Sequence, residues 1–175
     1  MTIHFKKSLP LFIAFTLTIH LSAQRVIPPT DSIHITGQVK TPIHFSVSDL
    51  DLLPKTKLPD QLIYNQKGEI KDTLTQLQGV PLKTVLEKAE FQVEKPKELN
   101  EFYFIFIASD GYQVVFSWNE IFNTIIGDQC YIISSLEGKT MSDIQDHILF
   151  ISTGDLKTGR RVVRGLDRIK VTRLE

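Results

Sequence analysis

The residues best suited to bind something in this chain are arginines. From Gly154 to Glu175 the sequence reads GDLKTGRRVVRGLDRIKVTRLE, with seven basic side chains against three acidic ones. Clustered guanidinium groups offer forked N–H donors that match phosphate or carboxylate oxygens. Gly154 and Gly159 make the backbone around them pliable. Arg168, Lys170 and Arg173 fit a simple alternation on the wet face of a last strand. Lys157, Arg160, Arg161 and Arg164 come before that alternation, so these four are the candidate ligands for a small anion.

Other chemistry is sparse. There is no Gly-x-Ser-x-Gly, and the one cysteine, Cys130, precedes the apolar run YIIS, the setting of a buried and inert thiol. Outside the first 23 residues the histidines are His34, His44 and His147, and no two are spaced as ligands on one element. Zinc sites need three or four converging N or S donors, so no metal site is assigned; His34 and His44 are expected at a sheet surface. The pairs Asp49 with Asp51, Asp143 with Asp146 and Glu87 with Glu90 have ordinary helix or loop explanations. No catalytic residue is assigned. At Ser109-Asp110-Gly111-Tyr112, Gly111 can take a positive φ and Asp110 can bond the backbone two residues on. That turn needs no ligand, and Tyr112 reads as a cross-strand aromatic.

The elements that must carry these residues are mostly strands. IHITGQV and IHFSV alternate like strands, and Ser48 is placed to cap a short helix that Pro54 stops. Residues 60–78 read as a hairpin around Asn65-Gln66-Lys67-Gly68. Pro81 suits a first helical position, and Leu82, Val85, Leu86 and Ala89 then share one face. FYFIFIA has no polar break and predicts a central strand covered on both faces. After QVVFS, Ser117 and Glu120 form a capping-box pattern, with Ile121, Phe122, Ile125 and Ile126 as the buried stripe and Gly127 as the stop. CYIISS, HILFIST and DRIKVTRL are three more strands. The class is α+β, with a mixed, mostly antiparallel sheet and two or three short helices.

The chain has 175 residues, 42% of them hydrophobic, enough for one core and too few for two domains. Residues 1–23 read as a secretory signal peptide: Lys6 and Lys7, an apolar stretch from Leu9 to Leu21, then Ser22-Ala23. That stretch falls short of the roughly 20 residues of a membrane span. Residues 24–32 form an extended lead-in with two prolines, and residues 33–175 form the domain. Removal of the signal leaves eighteen basic and twenty acidic side chains, a balance that excludes a nucleic-acid binder. The expected location is periplasmic or secreted, without a membrane span once the signal is gone. One cysteine cannot make an internal disulfide, so packing must supply the stability.

In order, the segments ITGQVKTPIHFSVSDLDLLP, LQGVPLKTVLEKAEF, ASDGYQVVFSWNEI and HILFISTGDLKTGRRVVRGLDRIKV resemble the molybdopterin-binding domain of the sulfite-oxidase-type oxidoreductases. The resemblance is to the short, exported, single-domain members and spans nearly the whole chain after the signal. It implies a curved, largely antiparallel sheet. It also implies that Arg161, Val163, Leu166 and Ile169 match a family run that helps hold the pterin and its phosphate. Arg164 stands where the family has Lys, and Gly165 where it has Trp. The family binds molybdenum through a cysteine upstream of the GVPL helix; here the corresponding LPDQLIYNQKGEIKDTL has none. A soft thiolate anchors and tunes such a metal, so its loss argues against molybdenum. The leading expectation is a pterin- or anion-binding accessory module that takes molybdopterin or another phosphate-bearing ligand without molybdenum catalysis. Its partners would be a small anionic ligand and a protein of the exported compartment. The alternatives are an active molybdopterin-dependent oxidoreductase and a partner-binding domain with no small ligand.

Overall fold

The structure is a computed structural model and describes residues 26–174; the signal-peptide reading of residues 1–23 lies outside these. In chain order the elements are β1 (Ser32–Gly37), β2 (Ile43–Ser46), α1 (Val47–Asp51), β3 (Thr56–Lys57), β4 (Gln61–Tyr64) and β5 (Ile70–Leu74). There follow β6 (Gln78–Pro81), α2 (Leu82–Leu86), β7 (Phe102–Ala108), β8 (Gln113–Ser117) and α3 (Trp118–Phe122). The chain ends through β9 (Cys130–Leu136), β10 (Lys139–Thr140), β11 (Leu149–Ser152), β12 (Val163–Arg164) and β13 (Leu166–Arg173).

The strands form two main sheets and a hairpin. One sheet has the order β2-β1-β13-β7-β8, with β1 and β13 parallel and the other pairs antiparallel. The second runs β12-β11-β9-β6-β3, antiparallel throughout, with β10 added on β9. β4 and β5 pair only with each other. The main core lies between the two sheets. Phe102, Phe104 and Phe106 of β7, Ile33 and Ile35 of β1, and Phe150 of β11 meet there with Leu82, Val85 and Leu86 of α2. A second cluster, including Ile63 and Leu74 of the hairpin with Ile133, Leu149 and Ile151, fills the far side of the second sheet.

This layering changes four local readings. β7 buries only alternate residues, whereas β11 buries all four of its own, because the two clusters cover it from both sides. The strand covered on both faces is therefore β11. Ser46 caps α1 in place of Ser48: its hydroxyl accepts from the Asp49 N–H, and the Asp49 carboxylate accepts from the Ser46 N–H, a box that needs the acid three residues on. Pro81 ends β6 and precedes α2 by one position. The capping box of Ser117 and Glu120 is present, but α3 stops at Phe122, so Ile125 is exposed and Gly127 begins a 3₁₀ turn. Gly127 packs against the Ile121 carbonyl, where a Cβ would not fit.

At the last strand, Arg168 and Lys170 are exposed as the alternation requires. Arg173 has the parity of the buried Ile169 and Val171, and reaches out to Glu101 at 2.6 Å and Glu98 at 3.3 Å.

Candidate functional site

The β4–β5 hairpin packs its buried apolar residues into the second cluster. Ile63 and Leu74 root it in the core, and its polar end is tied to the segment 157–164, which approaches from the other end of the chain. The Thr158 hydroxyl accepts from the Tyr64 N–H at 3.1 Å and donates to the Leu62 carbonyl at 2.7 Å. The Lys157 ammonium donates to the Gln66 carbonyl at 2.9 Å. Gly159 lies so close to the Tyr64 carbonyl that any side chain there would collide with it.

Between these two segments opens a cleft of about 740 Å³. Its walls are Ile63, Tyr64, Asn65, Gln66, Lys71 and Asp72 from the hairpin, and Gly159, Arg160, Val162 and Arg164 from the arginine segment. Asp110 and Tyr112, from the Ser109–Tyr112 turn, complete the rim with Ile27. At that turn Gly111 has φ +82° and the Asp110 carboxylate accepts from the Tyr112 N–H at 2.9 Å, as the sequence indicates. Tyr112 is not a cross-strand aromatic: its hydroxyl donates to the Arg160 carbonyl and holds the arginine segment to the turn. The turn is also clamped from behind, where the Ser109 hydroxyl donates to the Pro28 carbonyl at 2.6 Å and the Ser109 N–H to the Gly165 carbonyl at 2.8 Å. Gly165 has φ +63° and presses on Ser109, Ile27 and Pro28, so no bulky residue fits at that position.

The four candidate anion ligands have different fates. Arg161 points inward. Its guanidinium donates to both oxygens of Asp155, to one of them at 2.7 Å, and to Glu120 at 3.1 Å, and it lies 4.0 Å above the Phe116 ring. Hydrogen bonding to Asp155 raises its already high pKa further, so it is a permanent cation matched by two carboxylates. Arg164 forks between Asp146 at 3.1 Å and Asp72 at 3.2 Å, joining the hairpin to the body of the domain. Asp146 is almost fully buried, so this pairing satisfies a carboxylate that water cannot reach. Lys157 is spent on the Gln66 carbonyl. Arg160 is exposed at the cleft wall, and its guanidinium has no carboxylate partner among the described residues. Lys71, on the opposite wall, was not among the sequence candidates; an exposed lysine in an alternating strand carries no signal that separates it from any other.

The donor set does not suit a thiolate-bound metal. The cleft lining contains no cysteine. Cys130 is buried in the core, donates to the Ile126 carbonyl at 3.3 Å, and burial pushes its thiol up to about 12. His34 and His44 face each other on the exposed side of β1 and β2 with rings 6.1 Å apart, and His147 pairs with Asp31 at 2.9 Å. Among the described residues no three of His, Cys, Asp and Glu converge as a metal site would require.

No protein-family model matches the chain, and no curated protein matches it. Among solved structures it is similar to the sulfane dehydrogenase SoxCD from Paracoccus pantotrophus, at 16% identity and a TM-score of 0.58. The match covers 80% of this chain and 37% of that one, so the chain spans little more than a third of its structural neighbour. At that identity the likeness is one of fold: mixed, mostly antiparallel sheets with a few short helices.

Proposed function

We propose that this chain is an exported accessory domain of the sulfite-oxidase molybdopterin-binding type that binds a small organic anion in the cleft between the β4–β5 hairpin and residues 159–164, without thiolate-bound molybdenum. One observation carries the reading: the arginine-rich segment and the hairpin that would have held the metal-binding cysteine meet in a single cleft, and that cleft offers cations but no sulfur. A volume of about 740 Å³ is within the range of small-molecule sites. Arg160 and Lys71 supply the charge for the ligand. Arg161 and Arg164, the positions that match the family's pterin-phosphate run, support the cleft walls through their own carboxylates. Tyr64, Asn65 and Gln66 offer an aromatic face and amide groups to the body of a ligand.

Two measurements test this. Titration calorimetry with benzoate, benzenesulfonate and inorganic phosphate should detect binding that weakens about tenfold in Arg160→Ala and in Lys71→Ala, the loss of one charge-assisted contact each. Neither residue is buried, so both variants should keep the parent's melting temperature. Metal analysis of protein purified from the exported fraction should find no stoichiometric molybdenum. Binding that survives both substitutions would overturn the assignment of the cleft, and stoichiometric molybdenum would restore the oxidoreductase reading.

A further inference from the structure

We propose that the lead-in to the domain, residues 27–31, forms a wall of the ligand site, and that Ile27 on it selects anions with an apolar body over bare anions of the same head group; this rests on the cleft being the ligand site. Three aliphatic side chains line the cleft, Ile27, Ile63 and Val162. Ile63 is buried in the second apolar cluster and Val162 packs against it, so the core already takes much of their surface. Ile27 is half-buried and belongs to neither cluster, so its side chain gives the cleft apolar surface that the core does not use. The lead-in is held as a strap. The Ser109 hydroxyl donates to the Pro28 carbonyl, the Thr30 N–H donates to the Asp146 carbonyl at 3.4 Å, and the Asp31 carbonyl accepts from the Val47 N–H at 2.9 Å. The Asp31 carboxylate also pairs with His147. Pro28 and Pro29 fix two successive φ angles and keep the strap extended. Gly165 lets it come close: a Cβ there would meet Ile27 and the Pro28 carbonyl at 2.9 Å. Ile27 is therefore in position before a ligand arrives, and a body that reaches it gains burial at little ordering cost. A bare anion meets the cations but gains nothing from Ile27.

The test separates the body of the ligand from its charge. Benzoate and acetate carry the same carboxylate, one on a ring and the other on a methyl group, and NMR titration measures both affinities. Benzoate should bind about tenfold more tightly, the gain from burying part of the ring. Ile27→Ala trims a half-buried side chain to a methyl group, so benzoate should bind about tenfold more weakly while acetate is unchanged. Ser109 is not in the cleft lining, so Ser109→Ala tests the strap without removing a ligand contact. It should lower benzoate affinity, leave acetate alone, and speed amide exchange at Thr30. An unchanged benzoate affinity in Ser109→Ala would refute the strap as what positions Ile27. If acetate binds as tightly as benzoate, or Ile27→Ala weakens both alike or neither, while Arg160→Ala weakens both, selection by Ile27 is refuted and the cleft remains the site. If neither anion binds, or neither responds to Arg160→Ala or Lys71→Ala, the cleft assignment itself fails, and the selection with it.

Discussion

Replacing Arg161 by Ala should destabilise the domain rather than empty a ligand site. The side chain is 22% exposed and its main partner, Asp155, only 11%. Its removal strands a largely buried carboxylate that has lost two hydrogen bonds from one guanidinium, and breaking such a pair costs about 3 kcal/mol. Glu120 is 35% exposed and can be rehydrated, so it adds little. The lost contact with the Phe116 ring is worth about 0.5–1 kcal/mol. Phe116 is itself packed against Phe106 and Phe150, with centroids 5.3 and 5.6 Å away, so the damage reaches the main core. A total of about 3.5–4 kcal/mol corresponds to a fall in Tm of about 7–16 °C for a domain of this size. Urea denaturation followed by fluorescence should show an unchanged slope and a lower midpoint. In a double-mutant cycle with Asp155→Asn, the second change should cost much less once the first is made, with a coupling of about 2 kcal/mol. A loss below about 0.5 kcal/mol, accompanied by a drop in anion affinity larger than that of Arg160→Ala, would show that Arg161 is a ligand group and that the assignment of roles among the arginines is inverted.

Further outcomes follow from single contacts. Arg164→Ala should leave Asp146 buried without a partner and release the hairpin from the body, read as faster amide exchange over residues 61–74 than over β9 or β11. Cys130 should resist alkylation at pH 8 in the native protein and react at once in denaturant. Because the folded thiol titrates near 12 against 9.0 for an ordinary cysteine, its contribution to stability is intact below about pH 9. It falls by about 1.4 kcal/mol per pH unit as the unfolded thiol ionises, a share of the alkaline slope that Cys130→Ala should remove while leaving that of Tyr131, whose pKa burial also raises. Gly127→Ala drives a methyl group into the Ile121 carbonyl and should cost about 2–3 kcal/mol in chemical denaturation.

What was legible in the sequence is what local rules govern. The hairpin over residues 60–78, the short helix behind Pro81, the Ser117 and Glu120 box and the Asp-Gly turn are written in residues at most a few positions apart, because caps, turns and alternation are satisfied within a segment. The burial of Cys130 and the surface placement of His34 and His44 were legible for the same reason, from the pattern of the strands that carry them. Local patterns failed where burial came from a distant layer. FYFIFIA is apolar throughout yet has one half-open face, and β11 is enclosed because a hairpin some 80 residues earlier in the chain folds over it. The roles of the arginines were likewise undetermined. A run of guanidinium groups shows only that anions are wanted; which anions satisfy them depends on partners such as Glu120, 41 residues from Arg161, and Asp72, 92 residues from Arg164. Charge is a property of the sequence, but the pairing of charge depends on distances in space. Only the tertiary structure could show that two of these arginines are neutralised by carboxylates of the same chain while Arg160 faces a cleft.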